Sequence, residues 1–166
     1  VSVLYWCWSS TKMSSGMGDT VPVSSERLRA LAVALVKESA TRDAATFTHG
    51  IPGCSPEAKA PEEAVAGADE YIGAVCAVAA DAMRRADAHH PAWRQATTPV
   101  TAHAAACWAA AKFHGTALTL QTAVPAMMRA QGTTLGSLGA EDACVAAVVD
   151  AEAHLLDACG YCLVQA

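Results

Sequence analysis

At 166 residues the chain is long enough for one domain with a real core. Its 53% hydrophobic and 16% charged residues exclude a disordered chain. The net charge of −5 leaves no basic patch to neutralise phosphates, which excludes a nucleic-acid partner; the one basic pair, Arg84-Arg85, reads as a solvated helix face.

In chain order, VSVLYWCW (residues 1–8) is apolar and aromatic, and the Ser, Gly and Met of SSTKMSSGMG read as a flexible linker. Eight residues are too few to span a bilayer. Trp6 and Trp8 therefore dock on a partner, touch a membrane surface or fold back on their own domain. Residues 1–17 form this N-terminal segment, and residues 18–166 form the domain. A first residue Val1 in place of Met implies a processed or truncated product whose targeting peptide is gone.

Ser24 to Glu38 is helical, with Leu28, Leu31 and Leu35 on one face and Ser24 or Ser25 as the cap. TFTHGIPGCSPEAKAP is a loop. A second helix is expected from about Pro61 to about Val78, with Tyr71, Val75 and Val78 sharing a face. A third is expected from Asp81 to His90, ended by Pro91, because the residue before a proline avoids helical geometry. A loop follows through Pro99. Helices then run from Thr101 to about Gly115, from Ala117 to Gln131 with Pro125 at or near a bend, and from after TTLGSLG to about Cys159. No β signal stands out, so the fold class is all-α.

Alanine dominates the apolar fraction, while Ile51 and Ile72 are the only isoleucines. Alanine favours helix but fills little volume. An alanine-lined core closes either by very close helix packing or by something other than side chains.

No chemistry-bearing motif stands out. Of the seven cysteines, Cys159 and Cys162 form a CxxC at a chain end after a helix. A redox centre wants that motif at a helix N-terminus, and a single pair is weak for zinc, so it reads as a disulfide or as unreactive thiols. Cys76, Cys107 and Cys144 read as small hydrophobes. The histidines form no HExxH cluster, and Asp150 and His154 read as a local i, i+4 pair. Adjacent His89 and His90 point to different sides of their helix, one in and one out. An inward ring is either a satisfied core histidine or a ligand. Asp69, Glu70, Asp81 and Asp87 read as a wet face, and no nucleophile or acid pair marks an enzyme.

The wording of the chain goes further. GDTVPVSSERLRALAVALVKE (Gly18 to Glu38) resembles the opening segment and first helix of a domain of the dinoflagellate peridinin–chlorophyll proteins. The turn IPG, then PEEAVAGADEYIG, ADAHH (Ala86 to His90), Pro99-Val100-Thr101 and Val124-Pro125 are similar to the sections that follow. The resemblance covers roughly Gly18 to Cys159. It implies a helical half-barrel with an alanine-rich interior around chlorophyll a and peridinin, in the thylakoid lumen of the chloroplast. It implies no enzyme. His89 would hold a water that ligates the chlorophyll magnesium, with His90, Tyr71 and Val75 as further pigment-binding residues. Several features depart from that family: Pro91 directly after the histidines, Ser39-Ala40-Thr41 where an aromatic stands, the cysteines, the aromatic extension, and one domain where two are usual. A single domain would close its cavity by forming a homodimer or by docking on a photosystem or membrane antenna subunit. The implied function is light harvesting. The alternative is a lumenal structural accessory subunit of a photosystem–antenna assembly with few or no pigments.

Overall fold

The computed structural model describes residues 22–47, 60–136 and 139–163, and every regular element among them is helical. The aromatic segment 1–17 lies outside the described residues.

Helix α1 (Ser25–Phe47) begins where the leucine pattern places it. Ser24 is its cap: the Ser24 hydroxyl accepts the Arg27 amide at 3.2 Å, and the Ser24 carbonyl accepts the Leu28 amide at 3.0 Å. The helix runs past Glu38 because SATRDAATF holds no glycine or proline to stop it. There the Thr41 hydroxyl donates back to the Lys37 carbonyl at 2.9 Å.

The expected second and third helices are divided differently. Helix α2 (Pro61–Ala66) stops at Gly67, and α3 (Asp69–His89) runs unbroken through Val78 to Asp81. No residue of α2 is buried, so packing gives little to offset the roughly 1 kcal/mol that a glycine costs inside a helix. Asp69 and Glu70 then restart the chain with the charge a helix N-terminus favours. No break forms near Val78, because Ala79 and Ala82 are buried on the core stripe that also holds Ile72, Val75, Met83 and Ala86.

A 3-10 helix (Pro91–Ala96) occupies the expected loop. Helix α4 (Pro99–Phe113) follows, capped by the Thr98 hydroxyl, which accepts the Thr101 amide at 3.2 Å. Helix α5 (Leu120–Ala130) passes through buried Pro125. Helix α6 (Ala140–Ala158) starts after Gly139, whose φ of 82° suits a residue without a Cβ.

Helix α4 lies at the centre, packed by α1, α3, α5 and α6. Every residue from Thr101 to Ala111 is buried, so no face of this stretch meets water. A helix apolar all round is a core helix, and alanine on each side lets four neighbours approach closely. Leu28, Leu31 and Leu35 of α1, Met127 of α5 and Leu155 of α6 supply the bulk around it.

Candidate functional site

Helix α3 carries Tyr71, Val75 and His89, with His90 as the residue that follows its end, so the four sequence-selected residues do not fall in one place. Tyr71 stands in its first turn and His89 is its last residue, eighteen residues on, about 27 Å at 1.5 Å per residue.

At the C-terminal end both histidines are exposed, so neither is the inward ring expected from their adjacency. The buried stripe of α3 reaches Ala86, and its next position would be His90. Pro91 takes His90 out of helical geometry, to φ −142° and ψ 69°. The 3-10 helix then lays Trp93, 5% exposed, against the core instead.

Asp87, one turn before the histidines, is not on a wet face. Its carboxylate accepts the Trp93 indole N–H at 2.9 Å and the Arg94 guanidinium at 2.6 and 2.7 Å. Arg94 also lies over the Trp93 ring, 5.2 Å from its centre. Arg85 departs from the solvated reading as well: it pairs with Asp81 at 2.8 Å and donates to the carbonyls of Cys162 and Leu163 at 2.8 and 2.5 Å, tying the end of the chain to α3.

The inward histidine of the molecule is His103, wholly buried on α4. Its Nδ1 lies 2.6 Å from the Pro99 carbonyl and its Nε2 accepts the Ser24 amide at 3.0 Å. A carbonyl can only accept, so Nδ1 carries the proton and the ring is neutral. Burial holds this imidazole below its usual titration range.

At the other end of α3, Tyr71 separates two shallow depressions. One, of about 350 Å³, is lined by Leu35, Val36, Ser39, Ala64 and Thr116, among others. The second, of about 370 Å³, is lined by Gly67, Glu70, Ala74 and His114, among others. Both fall at the small end of ligand sites, roughly 300–1,000 Å³. Burial raises the Tyr71 phenol above its ordinary value. The His114 ring meets the Tyr71 ring edge-on with centres 6.4 Å apart. Val75, one turn along, is enclosed by protein at 0% exposure and reaches neither depression.

Cys76, Cys107 and Cys144 pack with the core as small hydrophobes, and Cys159 and Cys162 are not joined as a disulfide. Burial pushes Cys107 far above the usual thiol range and raises Cys76 and Cys159. Cys159 donates to the Ala82 carbonyl at 3.2 Å and follows the C-terminus of α6, the end of a helix dipole that disfavours a thiolate. Among the described residues no group of three or more His, Cys, Asp or Glu is placed to hold a metal ion, and no helix is long and apolar enough to cross a membrane.

Sequence reasoning passed over His103 and read Asp87 and Arg85 as solvated. His103 had one local signal, its position four residues after Pro99 in the first turns of a helix, where a ring can reach back to the i−4 carbonyl.

No family model, curated protein or solved structure matches the chain.

Proposed function

We propose that the chain is a light-harvesting protein that holds chlorophyll a and peridinin for energy transfer to a photosystem, in the thylakoid lumen of a chloroplast. The resemblance of Gly18 to Glu38, Pro61 to Gly73 and Ala86 to His90 supports this reading. One structural observation carries it: His89 ends α3 with its side chain exposed, accessible to a ligand from outside the bundle. Magnesium is a hard ion that takes oxygen ligands, and an accessible imidazole can orient a water as one of them. His89 fits that role, and His90 stands beside it. Tyr71 offers an aromatic surface at the opposite end of the helix, whereas Val75 is enclosed and meets no ligand bound outside. The macrocycle, when bound, supplies light absorption and excited-state transfer; the protein supplies separation and polarity. With α4 filling the centre of the bundle, pigment on this reading lies along the outside of α3. The half-barrel enclosure of the resembled family then needs a second surface, from a homodimer or from a photosystem or membrane antenna subunit.

The filled centre favours a second reading, a lumenal accessory subunit of a photosystem–antenna assembly with few or no pigments. The visible absorbance spectrum of the gently purified native protein, with pigment extraction, separates the two. A chlorophyll red band with broad carotenoid absorption, weakened in His89→Ala, is the expected result for an antenna. A colourless, folded, helical protein overturns the antenna reading in favour of the accessory subunit.

A further inference from the structure

The Ser24 amide is the last backbone donor before α1, and His103 holds it across seventy-nine residues of sequence. Pro99, Ser24 and the ring form one chain: the Pro99 carbonyl accepts from Nδ1, and Nε2 accepts from the Ser24 amide. Both ring nitrogens are committed, one as donor and one as acceptor. A histidine cation has two donors and no acceptor. Protonation therefore turns the 3.0 Å contact with Ser24 into two N–H groups facing each other, and rotating the ring cannot relieve it, because either nitrogen would bring a proton.

Burial, the strongest influence on the ring, works in the same direction, against the hydrogen bond to the Pro99 carbonyl, which favours a cation. Arg27 from α1 and Arg94 from the 3-10 helix both disfavour a cation there. Asp87 from α3 favours one more weakly than burial opposes it, and its carboxylate already holds Arg94 and Trp93. A charged His103 would thus be buried, close to two cations and opposed to a backbone donor.

We propose that His103 is a proton-operated latch on the N-terminal end of α1, whose protonation releases the Ser24 amide and loosens the cap that Ser24 forms on the first turn of α1. The neighbouring contacts make the release local. Leu28, Leu31 and Leu35 remain packed in the core at 1%, 0% and 2% exposure and hold the body of α1. The sign follows from linkage. The folded protein keeps this base neutral below the usual imidazole value of 6.5, so it binds fewer protons than the unfolded chain. The latch is closed above that value and opens as the pH falls through the lower titration of the buried ring.

The test is amide hydrogen exchange between about pH 7.5 and about pH 4.5, corrected for intrinsic rates, in the wild type and in His103→Gln. Protection at Ser24, Arg27 and Leu28 is expected to fall by up to about tenfold per pH unit below the titration of the ring, while amides in α4 and α6 keep theirs. In His103→Gln, which gains no proton, protection in the first turn of α1 stays flat over the same range. Flat protection in the wild type, or loss spread evenly over all helices, overturns the latch. If His103→Gln does not fold, nitrogen NMR of the wild-type ring decides. Protonation of Nε2 must coincide with the loss of protection at Ser24, and a ring that charges with Ser24 unchanged overturns the proposal.

Discussion

Arg94 grips both oxygens of Asp87, Nε on Oδ1 at 2.6 Å and Nη2 on Oδ2 at 2.7 Å, with 11% and 23% of the two side chains left exposed. The Trp93 indole shares Oδ1, so one carboxylate fixes the 3-10 helix to the end of α3. Asp87→Ala removes the carboxylate from the guanidinium and the indole N–H together. The expected loss is about 2–4 kcal/mol, read as a lower urea midpoint at unchanged slope. Asp87→Asn, which keeps an acceptor for Trp93, should lose less. Equal losses in the two variants would mean that charge alone, not the indole bond, holds the corner.

Helix α4 leaves no room for growth. Ala105 is 0% exposed in the middle of its fully buried stretch. Ala105→Leu is expected to cost about 1–3 kcal/mol through overpacking. Ala88→Leu, on the exposed side of α3, should change stability by no more than about 0.5 kcal/mol. Thermal melts of the pair check this. An Ala105→Leu protein as stable as the wild type would show unfilled space beside α4, which is also what a pigment-bearing interior needs.

The thiols should react in order of exposure. Cys107, buried with its thiol held protonated, is expected to resist iodoacetamide in the native protein at neutral pH and to react in denaturant. Half-buried Cys76 and Cys159, raised by burial but reachable, should react slowly. Mass spectrometry of alkylated peptides at successive times reads the order. Prompt labelling of Cys107 would mean that α3 and α4 separate readily.

The helical class was legible because its signals are local. The leucines of α1, Ser24 as its cap and Pro61 at the start of α2 each act within a few residues. The division between α2 and α3 was not, since it is decided by whether each stretch finds a core to pack on. Ala79 and Ala82 are buried in one, whereas α2 sets only half-buried Val65 against its edge. The same limit governed the histidines. The outward turn of His89 and His90 follows from Trp93 taking the next core position, three residues after the pair, and the burial of His103 from a partner seventy-nine residues away. Polar groups such as Asp87 and Arg85 read as solvated in any scan by composition, because their partners lie on other elements.

The enclosure of α4 also bears on how the molecule comes apart. Helices α1, α3, α5 and α6 each pack on the same central rod, and α1 meets α5 across a wide gap in sequence. Peeling any one of them away bares alanines, whose small side chains cannot form a stable cluster of their own. No half of the chain holds a self-sufficient core, so the domain melts as a single cooperative unit, and a cut that removes α1 or α6 leaves a fragment that does not fold.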